Sequence, residues 1–187
     1  MSILRRRVLT GLVAGFGLML TACSTPAAMD TETAADDATI IYLVRHAEKT
    51  AERPDPELTD AGKARAEALA DRLEDAGLTA IYSSDYIRTR DTAAPIAART
   101  GLDVQIYDAS DMSVLADQLK TMNGHILVSG HSNTTPELVD LLGGDYVSPI
   151  VEAGENDRLY IVTLNEDGTA SSVLERYGVR FVLADTE

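Results

Sequence analysis

Ile40-Ile41-Tyr42-Leu43-Val44, running straight into Arg45-His46, is the stretch from which the fold reads. Five consecutive apolar residues ending abruptly in polar ones form the pattern of a strand buried on both faces, which is the habit of parallel sheets. The same pattern returns at 125–129, again closed by a histidine, in Gly130-His131. Between and around these two strands the periodicity alternates. Thr59 is placed to cap a helix whose Ala66, Leu69, Ala70 and Leu73 share one face and which Gly77 stops. A strand near 80–83, a helix over 92–99, a strand at 104–107 and a helix over 113–122 precede the second histidine strand. A helix over 134–142 follows it, and strands at 159–164 and 171–177 close around the turn Glu166-Asp167-Gly168. Pro95 predicts a kink in its helix or a later start. Strands alternating with helices predict an α/β fold, three layers α/β/α with a mostly parallel central sheet, in one domain over 39–187.

Composition sets outer limits on function. The 187 residues carry 16 Lys and Arg against 30 Asp and Glu, a net charge of −14. No long basic run is present to neutralise a phosphate backbone, which excludes a nucleic-acid clamp. The chain is long enough to bury one substantial core without disulfides or metals. It has one cysteine, Cys23, so no internal disulfide forms.

Residues 1–22 read as a signal peptide, with Arg5-Arg6-Arg7, an apolar run of about 13 residues from Val8 to Leu20, and small residues before Cys23. The run is shorter than the roughly 20 residues a spanning helix needs. Leu20-Thr21-Ala22-Cys23 resembles a bacterial lipobox, which implies an acylated Cys23 as the first mature residue and a chain held in the cell envelope. Ser24 behind it resembles the outer-membrane address of Gram-negative lipoproteins. The Arg pair leaves both general secretion and twin-arginine export open. Cleavage removes three arginines and no acids, taking the charge from −14 to −17, so attachment rests on acyl chains and not on a basic face. The remainder of 23–38, rich in Ser, Thr, Pro, Ala and acids, is a flexible tether.

Three strand ends carry unusual chemistry. Ligands of open α/β sheets bind beyond the carboxyl ends of the strands, and Arg45-His46, Arg88 in the segment after residue 83, and His131 all follow strands. Together they make a cationic pocket in an acidic protein, suited to a small dianion. Arg offers a planar fork to phosphate oxygens, and the helix from Thr134 adds first-turn amides. Other chemistries fit less well. His46-Ala47-Glu48 matches one part of the zinc-deaminase signature, whose two further cysteines are missing. Gly130-His131-Ser132-Asn133-Thr134 begins like a nucleophile elbow but ends in Thr134. Three histidines without an H-E-x-x-H pair give no metal site, and His125, at the start of a buried strand, reads as structural.

Leu43-Val44-Arg45-His46-Ala47-Glu48-Lys49, Leu58-Thr59-Asp60-Ala61-Gly62, Ser83-Ser84 with Arg88-Thr89 and Thr92-Ala93, and Val128-Ser129-Gly130-His131-Ser132-Asn133-Thr134 occur in that order. In this the chain resembles the histidine phosphatase superfamily, of phosphoglycerate-mutase-like fold, over about 39–177, and particularly its short phosphohistidine-phosphatase-like members. Ala47 stands where many members carry Gly; the short members often share Ala-Glu. The resemblance implies His46 as a nucleophile that forms a phosphohistidine, and Arg45, Arg88 and His131 as groups that bind the phosphoryl oxygens, without metal or other cofactor. It also implies a proton donor between Arg88 and His131. Asp108, after the strand at 104–107, is the first candidate and Asp111 the second, although Asp111 also reads as a helix cap.

Only 42 residues separate Arg88 from His131, leaving little room for the substrate-enclosing insertion of mutases. The expected activity is therefore hydrolysis of phosphomonoesters or phosphoprotein. The alternative is a phosphate-binding envelope lipoprotein, sensor or scaffold, without catalysis. Side chains that meet the leaving group are expected in the loops at 50–57 and 144–157; Glu48 and Lys49 either line the pocket mouth or face solvent.

Overall fold

A computed structural model describes residues 38–145 and 148–182. The expected signal peptide, Cys23 and all but the last residue of the tether lie outside the described residues.

Ten elements follow one another: β1 (Thr39–Arg45), α1 (Asp60–Leu73), β2 (Leu78–Ser84), α2 (Ile87–Thr100), β3 (Val104–Tyr107), α3 (Met112–Leu119), β4 (His125–Gly130), α4 (Thr134–Leu141), β5 (Arg158–Leu164) and β6 (Ala170–Arg176). The sheet order is β3-β2-β4-β1-β5-β6. Its first four strands are mutually parallel, and β5 and β6 add to β1 as an antiparallel hairpin. The apolar run of β1 is buried on both faces because alternate side chains enter different cores. Ile41 and Leu43 pack with Leu115, Leu119, Leu138 and Val139 of α3 and α4, whereas Tyr42 and Val44 pack with Leu69, Leu73, Ala93 and Ile96 of α1 and α2. This is the three-layer arrangement that the alternation predicted.

Thr59 caps α1 as expected, accepting from the Gly62 amide at 3.1 Å. Gly62 itself is required by a close approach: a Cβ there would lie 2.1 Å from the Glu48 carbonyl oxygen. The loop that carries Glu48 and Lys49 is thereby laid directly on the first turn of α1.

Helix α2 corrects one expectation. It starts at Ile87, five residues before the predicted 92, and carries Pro95 inside it. The apolar pattern missed this first turn because its donors are capped from elsewhere: both carboxylate oxygens of Asp55 accept the Ile87 amide, at 3.1 and 3.0 Å. A distant loop supplies what Tyr86, at the N-cap, cannot. The early start places Arg88 on the first turn of the helix. Helix α3 begins at Met112 with Asp111 as its cap, accepting from the Ser113 amide.

Candidate active site

Because β4 lies between β1 and β2, the segment after β4 falls between those after its two neighbours. His131 consequently stands between His46 and Arg88. The rings of His46 and His131 are edge to face with centroids 5.6 Å apart, and Arg88 Nη2 is 3.4 Å from His131 Nδ1. His46, Arg88 and His131 share the wall of one open cleft of about 860 Å³ with Lys49, Asp108 and Glu152.

The backbone of His46 is fixed from three directions. Its amide donates to the Gly130 carbonyl at 2.9 Å, its carbonyl accepts from Asn156 Nδ2 at 2.8 Å, and the next amide, of Ala47, donates to Thr92 Oγ1 at 2.9 Å. The ring Nδ1 lies 2.7 Å from the Ala47 carbonyl oxygen. A carbonyl only accepts, so Nδ1 carries the proton and Nε2 keeps its lone pair. Burial, together with the positive charge of Arg45 and Arg88, lowers the His46 pKa to about 3. The ring is a neutral, oriented base and nucleophile at ordinary pH.

His131 has the opposite tautomer. A guanidinium only donates, so Nδ1 accepts from Arg88, and Nε2–H donates to Ser84 Oγ at 2.9 Å. Ser84 Oγ passes its proton on to Thr89 Oγ1 at 3.0 Å. Burial, then Arg88 and Arg45, lower the His131 pKa to about 4. Arg88 is held on its far side by the Tyr86 ring, 4.3 Å from its centroid, and by Asp55, with Nη1 3.4 Å from Oδ1.

Arg45 is set deeper than the sequence suggested. It is buried, and its Nη atoms donate to the carbonyls of Val151, Glu155 and Glu152. Nη2 also lies 3.2 Å from Glu152 Oε1. Among the described residues, Arg45 Nε and Arg88 Nε are buried without an acceptor. A buried N–H without a partner costs about 1–3 kcal/mol, so each guanidinium keeps a donor whose need an anion would meet. No cluster of three or more His, Cys, Asp or Glu side chains among the described residues is arranged to hold a metal ion.

The two candidate acids are placed differently. Asp108 lines its wall, but its carboxylate is exposed and accepts the Ser110 amide at 2.9 Å, a bond that holds its pKa below the usual range. It is ionised where a proton donor must be protonated. Asp111 is occupied as the α3 cap and lies off the cleft. Sequence reasoning missed Glu152 and Asp55, although both sit in the loops flagged for leaving-group contacts. Glu152 accepts a hydrogen bond from the Ser132 hydroxyl, which with Arg45 keeps its carboxylate below the usual range. Glu48 is turned to the buried Arg65, its Oε1 accepting from Nε and Nη2 at 2.9 and 2.7 Å, whereas Lys49 reaches the cleft. His125 is half-buried, bonded through Nδ1 to the Ala76 carbonyl and edge-on to Tyr42, a structural position.

The depressed histidines carry a stability consequence. An unfolded histidine takes up its proton near pH 6.5, while His131 and His46 resist until about 4 and 3. Between those values the unfolded state binds more protons, so stability falls as pH drops from 6.5 towards 4. The buried carboxylate of Glu155 is separate: hydrogen bonds from Arg158 and Arg176 outweigh burial and lower it to about 2, so its contribution is whole above the ordinary carboxylate range and is lost progressively as the pH falls from there through about 2. The urea midpoint is expected to fall between pH 7 and 5, and a His46→Ala/His131→Ala double variant is expected to flatten that dependence. An unchanged slope in the double variant would assign the acid sensitivity to other groups.

Comparison with known proteins places this geometry. Residues 41–110 match the family described as Histidine phosphatase superfamily (branch 1). A probable phosphoglycerate mutase, GpmB, of Escherichia coli O1:K1 / APEC is 37% identical over 107 residues, covering 54% of this chain and 49% of the relative. The chain spans about half the length of the curated relatives it matches. Among solved structures, the protein histidine phosphatase SixA complexed with tungstate superposes with a TM-score of 0.63 at 16% identity, over 73% of this chain and 96% of that one. A mycobacterial glucosyl-3-phosphoglycerate phosphatase superposes with a TM-score of 0.57 at 14% identity, over 75% and 98%. At such identities the likeness is one of fold.

Proposed function

We propose, from the premise that the chain belongs to the histidine phosphatase superfamily, that it hydrolyses phosphomonoesters or phosphoprotein through a phosphohistidine on His46. The observation that carries this reading is the Nε2 lone pair of His46, left free by the Nδ1 contact on the wall of the cleft that Arg88 and His131 share, together with Nε–H groups of Arg45 and Arg88 that lack acceptors. Phosphoryl oxygens would take up those donors, drawing phosphorus towards Nε2. In the first step the Nε2–P bond forms as the P–O bond to the leaving group breaks, and the bonding pair leaves on that oxygen. In the second, water attacks phosphorus, the Nε2–P bond breaks, and orthophosphate and a proton are released. Arg45, Arg88 and His131 stabilise the charge on the equatorial oxygens. His131, neutral at rest, becomes easier to protonate beside a dianion and then adds a further donor at Nδ1.

With Asp108 ionised, the leaving group departs without a strong acid beside it, which favours esters whose alcohols are themselves acidic. Hydrolysis is preferred to mutase transfer because, among the described residues, Lys49 is the one further cation on the cleft wall, which also bears Glu152, Asp85 and Asp108. A substrate with a second anionic group meets repulsion there. In this reading an acylated Cys23 would tether the domain to a membrane of the cell envelope. The alternative, phosphate binding without turnover, is favoured by the same ionised Asp108.

The test uses the full-length chain in detergent with p-nitrophenyl phosphate and excess chelator. Steady hydrolysis is expected, with acid-labile, base-stable label trapped on His46 from radiolabelled substrate. Orthophosphate binding without hydrolysis would establish the alternative, and label on another residue would remove His46 from the role.

A further inference from the structure

Beside the cleft a second groove of about 320 Å³ runs between β3 and α3, bounded by Ile106, Asp108, Asp111, Val114 and Gln118. Ile106, Tyr107 and Asp108 border both, so the groove opens directly from the cleft. Its surface is unusual in three respects. First, it is lined by two large apolar side chains left exposed, Ile106 by 50% and Val114 by 64%. Second, hydrogen bonds hold both carboxylates below their usual range, from the Ser110 amide to Asp108 and from the Ser113 hydroxyl and amide to Asp111, and among the described residues no Lys or Arg lines the groove. Third, β3 is the edge strand: it pairs with β2 on one side and, among the described residues, with no strand on the other.

Resting on the phosphatase reading above, we propose that this groove is a subsite for the polypeptide flanking a phosphorylated residue. The chain lies extended along the edge of β3, sets an apolar side chain between Ile106 and Val114, and brings a Lys or Arg to Asp108 and Asp111. The four residues of β3 give a run of about 13 Å at 3.3 Å each, room for three or four substrate residues beyond the phosphorylated one. Edge pairing supplies affinity through the backbone, while the apolar pair and the two carboxylates supply selectivity. The occupant is a peptide and not a compact metabolite, because a metabolite filling the phosphate cleft has no extension to carry past Tyr107. It is basic and not acidic because the groove has two negative charges and no positive one.

The test compares two phosphotyrosine peptides that differ only in the flanks, Val and Lys on both sides in one, Ser and Glu in the other, with p-nitrophenyl phosphate as reference. In the full-length chain, kcat/KM is expected to be at least tenfold higher for the Val/Lys peptide. Val114→Lys, an exposed helix substitution, is expected to collapse that ratio towards one while hydrolysis of p-nitrophenyl phosphate stays unchanged. Equal kcat/KM for the two peptides, or a ratio that survives Val114→Lys, would overturn the subsite. Anisotropy of the labelled peptides reads the same discrimination without turnover. Failure to hydrolyse p-nitrophenyl phosphate therefore counts against the phosphatase reading alone, and equal binding of the two peptides counts against the groove alone.

Discussion

His46→Ala is expected to lower kcat for p-nitrophenyl phosphate by about 10⁴–10⁶-fold, the scale seen when a covalent nucleophile is removed from an otherwise intact site. Orthophosphate affinity is expected to change little by comparison. The distinction follows from where the site's interactions lie. The Nε–H groups of Arg45 and Arg88 that lack acceptors belong to other residues, and the Ala47 and Gly130 contacts that fix the loop are made by backbone atoms that alanine retains. The ring takes with it the Nε2 lone pair that would bond phosphorus, the Nδ1 contact with the Ala47 carbonyl and the edge-to-face contact with His131, none of which is a donor to orthophosphate. Steady-state kinetics and phosphate-induced shifts in thermal unfolding read the two quantities separately. A variant keeping more than about one part in a hundred of its turnover would mean that water attacks directly and that His46 serves only as a binding group.

The sequence made the fold and the placement of this histidine legible for one reason: both are consequences of local pattern. An apolar run cut short by Arg-His announces a strand that ends at a ligand edge, and two such runs in one α/β chain predict adjacent strand ends. β1 and β4 pair in register from Ile40 with His125 to Arg45 with Gly130, which brings His46 and His131 side by side. What the pattern missed is held across sequence distance. Asp55 caps α2 from 32 residues away and moves its start to Ile87. Arg45 reads as a phosphate ligand by position; what the pattern does not show is that its Nη atoms are engaged by carbonyls more than 100 residues distant, which leaves Nε as its unpartnered donor. Asp108 stands on the cleft wall where an acid was expected, yet the amide of Ser110, two residues on, keeps it ionised. Identity and placement were readable there; protonation depends on which donor the folded turn presents.

Glu155→Ala is expected to destabilise the fold by about 3–5 kcal/mol, the cost of leaving a buried charge without its partner. Glu155 is 3% exposed and both of its carboxylate oxygens are bonded twice. Oε1 accepts from Arg158 Nε at 2.6 Å and Arg176 Nη2 at 2.8 Å; Oε2 accepts from Arg158 Nη2 and the Val151 amide, each at 2.8 Å. Arg176 retains Asp157 at 2.6 Å, but the buried Arg158 keeps only neutral acceptors, the Ser148 carbonyl and the Tyr160 hydroxyl among them. The loss also reaches the site. The loop carbonyls of Val151, Glu152 and Glu155 hold Arg45, and the Glu155 carboxylate holds that loop by the Val151 amide. Arg45 should therefore lose its fixed direction in molecules that remain folded, raising KM for p-nitrophenyl phosphate more than it lowers kcat. Glu155→Gln, which keeps the shape and one carbonyl oxygen, should recover part of both effects. Urea unfolding with parallel kinetics decides it: a destabilised Glu155→Ala variant with an unaltered KM would confine Glu155 to holding β5 and β6 together and detach it from Arg45.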